Sequence, residues 1–321
     1  MYSLVGQIAA HEGAVRSLAC QGESILSGGA DAFVRIWSTN TPDLLQMSLS
    51  HNHSVTAIAI DSLHEYILTG CMDNTIQVFN FKYQKIIQLE GHMKGVISLT
   101  LDGDLLISGS WDGCARVWDL KTFECIRMFE GHENGVNVLA LGEGKLITTS
   151  TGEAINNKPC NFRIRIWDLH EGTLLHDPID DHEASIRCIA KVNNFGFITC
   201  SNDGTVKLYT YEGDLVDSMS HPPQEDGSNP FVMGVAVISH SDMEFVSVGE
   251  DGSAVVWKNC SLEQSIPHPC GLWCACVLPN GDFLTGGHDG NIRIFSKDST
   301  RNSSESVRAL QVCGDPVLHL L

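Results

Sequence analysis

Imidazoles, hydroxyls and carboxylates stand in this sequence at spacings that could do chemistry. His11, Ser17 and Asp31 near the start, and His92, Ser98 and Asp112 further on, combine the residue types of a nucleophile, a base and an orienting acid. The run "HNH" at His51 to His53 would suit a metal ion. A second regularity decides between these readings. Asp31 precedes Trp37 by six residues, and the same offset joins Asp73 to Phe79, Asp112 to Trp118, Asp203 to Tyr209, Asp251 to Trp257 and Asp289 to Phe295. Trp167 has Asn161 at that distance. Repetition along the whole chain is explained by folding alone, so the sets read as scaffold, with no catalytic residue and no metal ligand expected. No Gly-rich phosphate loop or clustered ligand set stands apart from the repeat, and no cofactor is implied.

The seven aromatics are separated by 42, 39, 49, 42, 48 and 38 residues. That period is the signature of WD-repeat blades, and it predicts an all-β fold, a seven-bladed WD-repeat β-propeller. In the first copy an inner strand is expected near Val15 to Cys20, a second near Ser24 to Gly28, a third near Phe33 to Trp37 and an outer one near Leu44 to Leu49. Gly, Asp or Asn separates these apolar runs, as tight turns require, so four antiparallel strands per blade are expected. His11 lies four residues before Val15, and His51, His92, His132, His182 and His268 repeat the offset. In propellers of this type such a His bonds the turn Asp and a strand Ser or Thr above the aromatic ring. His11, Ser17, Asp31 and Trp37 match that set, as do His92, Ser98, Asp112 and Trp118.

The last repeat supplies three strands, and Ser3 to Ala9 form a strand with no repeat of their own. They are expected to close the last blade, which avoids an unpaired edge. Residues 1–296 then form the propeller, and residues 297–321 a tail that is disordered or partly packed.

Twenty Lys and Arg against 39 Asp and Glu give a net charge of -19, with no basic stripe to displace the counterions of a nucleic acid. Twelve scattered cysteines in apolar runs read as buried, reduced thiols. The first residues lack a basic start and a long apolar segment, and no run approaches a membrane span. A monomer in the cytoplasm or nucleus, without membrane or nucleic acid, is the expectation.

The His loops and Asp turns should emerge on one end of the disc, called here the top, where function is most often carried. The residue after the first apolar position of each inner strand should ring the channel: Arg16, Thr56, Ile97, Asn137, Arg187, Met233 and Trp273. A second ring precedes the turn Asp or Asn: Ala30, Met72, Trp111, Cys160, Asn202, Glu250 and His288. Aromatic and Met anchors among polar residues suit a protein partner. Arg16, Met72, Ile97, Trp111, Asn137, Arg187, Met233, Trp273 and His288 are the expected contacts. Two alternatives stand: the indoles fold down against neighbouring loops, or Arg16 and Arg187 grip phosphate. The insertions Thr151 to Cys160 and His221 to Pro230 either shape the site or are tolerated surface loops.

Three segments, "LLISGSWDGCARVW", "FITCSNDGTVKLY" and "GLWCACVLPNGDFLTGGHDGNIRIF", resemble the propeller of the phospholipase A-2-activating protein family. A Trp-Cys pair opening the final inner strand and an Asn-Gly-Asp turn carry the resemblance furthest, and the register extends from about Leu4 to Ser296. The resemblance implies a non-enzymatic, ubiquitin-binding adaptor of the AAA segregase valosin-containing protein, acting in ubiquitin-dependent turnover. In relatives the top face contacts ubiquitin, whose small apolar patch is bordered by basic residues and so fits apolar anchors on an acidic protein. Their ATPase-binding domain follows the propeller, and the tail here is too short for it. Ala14 stands where relatives often carry an acid, which removes one charge contact. The competing expectation is a generic WD-repeat scaffold or a substrate receptor for another protein.

Overall fold

The computed structural model describes residues 1–39, 45–142, 144–152, 162–224 and 226–298. Cys160 and Asn161, most of the Thr151 to Cys160 insertion, and the tail beyond Asp298 lie outside these residues.

Short strands rich in Val and Ile, each ended by a Gly, Asn or Asp turn, assemble into seven antiparallel sheets. Six sheets have four strands and one has three. The inner strands Val15–Gln21, Val55–Asp61, Val96–Asp102, Gly135–Gly142, Ile186–Val192, Val232–Ser239 and Leu272–Val277 touch in succession, and the last touches the first. Sheet therefore packs on sheet around a closed ring. The apolar clusters between blades form the core, with Ile25, Leu68, Leu106, Ile107, Leu146, Phe197, Phe245 and Phe283 fully buried.

The latch is as expected. Ser3–Ala9 pairs antiparallel with Asn291–Ser296, from Ser3 opposite Ser296 to Ala9 opposite Asn291, and completes blade 7. Gly290 lets the chain cross there at φ +78°, with its Cα facing the His11 carbonyl so closely that a Cβ would sit 2.0 Å from it.

Blade 4 departs from the expected four strands. Its sheet ends at the third, Ile164–Asp168, and the segment beyond contributes only isolated bridges, Ile164 to Ile179 and Trp167 to Leu174. Pro178 in that segment has no N–H to give a ladder, so a continuous outer strand does not form.

One irregularity positions the site. In six blades the ladder between the first and second strands slips after its first pair, for example between Val15 and Ser17 and between Leu272 and Cys274. The skipped residues are Arg16, Thr56, Ile97, Arg187, Met233 and Trp273. A bulge of this kind frees one residue from pairing and re-aims its side chain. Six of the seven predicted ring residues are therefore placed by the same backbone device.

Candidate functional site

In blade 3 the structural set is complete. His92 Nδ1 donates to Asp112 Oδ2 at 2.9 Å, Nε2 meets Ser108 Oγ at 2.7 Å, and Trp118 Nε1 donates to the same hydroxyl at 2.9 Å. Asp112 also accepts the N–H groups of Met93 and Cys114, at 2.9 and 3.0 Å. Burial pushes its carboxyl up, but the hydrogen bonds from His92 and these amides outweigh that and hold it down to about 2. Blade 1 repeats the arrangement with His11, Asp31, Ser27 and Trp37. Blade 5 repeats its polar part with His182, Asp203 and Thr199.

The hydroxyls are not the ones expected. Ser17 and Ser98 lie on inner strands, whereas the His and the Trp meet over the second strand, at Ser27 and Ser108. Ser98 instead stitches blade 3 to blade 4 through the Val138 carbonyl and N–H, at 3.3 and 3.2 Å. Ser17 Oγ is buried with no hydrogen-bond partner among the described residues. Blade 6 also has its histidine, which the offset of four missed. His221 is 1 % exposed, meets Ser247 Oγ at 2.6 Å and shares it with Trp257. The loop that follows His221 inserts between it and the inner strand, displacing it from Val232. In blade 4 no acid among the described residues completes the set; Arg165 and Ser150 approach His132 Nδ1 at 2.7 and 2.6 Å, and Nε2 meets Thr148.

On the top, the first ring lines a channel mouth of about 460 Å³ formed by Arg16, Thr56, Ile97, Arg187, Met233 and Trp273 with Met72 and Trp111. Beside it, Met72, Met93, Trp111, Glu133, Gly135 and Gly152 line a groove of about 660 Å³. Met72 and Trp111 form the wall shared by the two. Trp111 lies against blade 4: a Cβ on Gly135 would sit 2.6 Å from its ring, and one on Gly152 3.1 Å. It is half-buried, turned down on one face and open to both cavities on its edge. Trp273 is held by a different contact. The Arg16 guanidinium stacks 3.8 Å above its ring, and its Nε1 donates to His288 Nδ1 at 3.2 Å.

Two expected contacts are less available. Asn137 and Met233 are 7 % and 8 % exposed, and the Asn137 amide is spent on the carbonyls of Ile186 and Arg187. They shape the throat but offer a partner little area. One apolar residue was not anticipated: Met93, 78 % exposed, directly follows the blade 3 histidine and borders the groove. The matching positions elsewhere are Glu12, Asn52, Glu133, Glu183, Pro222 and Pro269, so a residue-by-residue comparison of those loops would have singled it out.

The charge pattern is graded. Among the described residues no Asp or Glu lines the channel mouth, while Arg16 and Arg187 do, the latter donating to Asn202 Oδ1 at 2.8 Å. Around it Glu12, Glu133, Glu183 and Glu250 are exposed. The described part of the His221 to Pro230 loop folds over the Asp203 turn, where Asn229 donates to its carbonyl at 3.3 Å, and does not line the mouth.

Seven sheets, each with a His that meets a second-strand Ser or Thr and three of them with a turn Asp joined to that His, define a WD-repeat β-propeller, a fold that presents loops on a rigid disc. The chain belongs to the WD domain, G-beta repeat family, whose model matches residues 2–38, 44–80, 83–119, 172–210 and 260–296. Among curated relatives, the ubiquitin homeostasis protein lub1 of Schizosaccharomyces pombe is 31% identical over 215 residues, 66% of this chain and 27% of lub1. An F-box/WD-40 repeat-containing protein of Arabidopsis thaliana is 26% identical over 214 residues, 62% of this chain and 38% of that protein. This chain therefore spans roughly a quarter to two fifths of these relatives. Of solved structures, the WD40 beta propeller domain of Doa1 superposes with a TM-score of 0.79 at 26% identity, covering 94% of this chain and 98% of that one.

Proposed function

We propose that this propeller is a non-catalytic binding module that docks ubiquitin on its top face and serves as an adaptor in ubiquitin-dependent protein turnover. The observation that carries the reading is the patch of Met72, Met93, Trp111, Ile97 and Trp273 spanning two adjoining cavities inside an acidic margin. A partner with an apolar patch edged by basic groups meets apolar anchors at the centre and carboxylates at the rim, the arrangement that favours both affinity and orientation. The relationship to lub1, whose name places it in ubiquitin homeostasis, supports this choice. The F-box relative fits a second reading, a receptor for a different protein on the same face. Contact with an AAA segregase is assigned to no residue of the propeller.

The test is a titration of isotopically labelled monoubiquitin with the full chain. Amide shifts clustered on one ubiquitin face are expected, and their absence at high micromolar protein rejects ubiquitin in favour of the second reading. Met93→Asp separates contact from folding, because so exposed a side chain contributes little packing. Affinity should fall about tenfold, equivalent to roughly 1.4 kcal/mol, with an unchanged melting temperature. Wild-type affinity in the variant would remove the groove from the site.

A further inference from the structure

All ten cysteines among the described residues are free thiols, and two of them face each other across the seam where the ring closes. Cys20 lies on the inner strand of blade 1 and Cys276 on the inner strand of blade 7, and the Cys276 thiol approaches Cys20 Sγ at 3.5 Å. A disulfide needs the sulfurs roughly 1.5 Å closer, a movement within reach of side-chain rotation. Cys20 is partly exposed and is the sulfur a small oxidant meets first, with the more deeply buried Cys276 behind it. We propose that Cys20 and Cys276 form a redox-modified pair, which a hydroperoxide converts to a disulfide that locks the propeller shut.

The neighbouring thiols show why this pair is set apart. Cys274, two residues earlier on the same strand face, meets the Val15 carbonyl at 3.6 Å rather than a sulfur. Burial pushes the Cys274 thiol far up, and Cys276 is raised as well by its hydrogen bond to Cys20 and by burial, so what separates the two is the sulfur that Cys276 faces. Cys188 and Cys200 are opposed within blade 5, on strands that a tight turn already joins. Cys20 is the better placed attacker: the hydrogen bond from Cys276 lowers its thiol below the usual range, against an opposing effect of burial. The Cys20 thiolate attacks one peroxide oxygen, giving a sulfenic acid and releasing hydroxide. The Cys276 sulfur then attacks the sulfenic sulfur and the sulfur–sulfur bond forms. The displaced hydroxide takes the Cys276 proton and leaves as water. Two thiols are thereby oxidised and one hydroperoxide reduced.

The consequence follows from topology. Blade 7 is completed by the N-terminal strand through hydrogen bonds alone, and no covalent link joins its other strands to blade 1 except the long way round the chain. A bond from position 20 to position 276 closes that circuit, so blades 1 and 7 stay joined even when the latch strand peels away.

The full chain is treated with hydrogen peroxide, then analysed by intact mass, non-reducing peptide mapping and unfolding kinetics in denaturant. Loss of two hydrogen atoms, a peptide containing Cys20 joined to one containing Cys276, and unfolding slowed about tenfold or more and restored by thiol reductant are expected. Cys20→Ser and Cys276→Ser should each abolish the slowing, and Cys274→Ser should keep it. A map showing only a Cys188 to Cys200 bond, sulfinic acid on Cys20 beside a free Cys276, or an unchanged unfolding rate overturns the proposal. The wild-type map decides the matter even where a serine variant fails to fold.

Discussion

Acidification from pH 6.5 to 4.5 is expected to destabilise this propeller by an amount comparable to its whole folding free energy. His132, His221 and His268 are held neutral inside the fold, for reasons visible in their bonds. Arg165, always a donor, approaches His132 Nδ1 at 2.7 Å, so that nitrogen must accept, and a proton there would oppose the guanidinium. Burial and that cation lower His132 to about 3. Burial lowers His221 to about 4, despite the opposing pull of Asp251. Burial, with Arg293 adding to it, also brings His268 to about 4. In the unfolded chain all three titrate near about 6.5. Below that pH the unfolded state takes up protons that the folded state refuses, so stability falls as pH falls, until the folded values are reached. Between pH 6.5 and 4.5 each histidine removes on the order of 2 kcal/mol of stability, and the three together about 6 kcal/mol. Domains of ordinary stability have about 5–15 kcal/mol in total. Denaturant unfolding at steps of pH should show the decline above the carboxylate range, since Asp112 and Asp203 are each held to about 2 and add their own losses only as pH falls from about 4. His132→Gln lowers stability at pH 7.5 but should flatten the slope by about 1.4 kcal/mol per pH unit, one proton's worth. An identical slope in the variant would show that His132 is not the group responsible.

The parts of this fold that were legible in the sequence are those in which one backbone position repeats the same duty. Asp at the turn and an aromatic six residues later recur in six repeats because the turn carboxylate caps N–H groups and the ring packs over the blade. The ring of residues at the channel mouth was legible because the bulge that exposes them recurs at one position of the inner strand. What escaped was decided across strands. Which serine the His and Trp share depends on ladder register, and proximity along the chain pointed to Ser17 and Ser98. A spacing of ten residues before the aromatic finds Ser27, Thr69, Ser108, Thr199, Ser247 and Thr285, and only blade 4 breaks it, at nineteen. His221 escaped for a related reason, since an insertion changes an offset without changing the site it serves. Sequence offers two readings of Trp111, and its position has elements of both, because its nearest floor is Gly135 and Gly152 in the next blade. No local pattern reports a neighbour twenty or more residues away.

The same repetition makes the blades differ in a measurable way, and Asp112→Asn is expected to cost far more than Asp73→Asn. Both acids precede an aromatic by six residues, and from sequence they are equivalent. In blade 3 every side of the Asp112 carboxylate accepts: His92 and the Met93 N–H at Oδ2, the Cys114 N–H at Oδ1. An amide in its place must turn its NH₂ toward at least one of these donors, leaving a buried N–H group opposed, and the charge that strengthened the other bonds is gone. A loss of about 2–4 kcal/mol follows. In blade 2 the situation is different. Asp73 Oδ1 accepts the Thr75 N–H and hydroxyl at 3.1 and 2.6 Å, whereas Oδ2 is buried without a partner, as is His51 Nδ1. An asparagine keeps its oxygen on Thr75 and places its NH₂ where an unsatisfied acceptor stood, so the change should cost under about 1 kcal/mol. Denaturant unfolding of the two variants beside the parent chain measures the difference, and at this size each kcal/mol also shifts the melting temperature by about 1–2 °C. Equal losses at the two positions would mean that the bonds drawn around Asp112 do not set its stability, and that the turn acids act through backbone geometry alone.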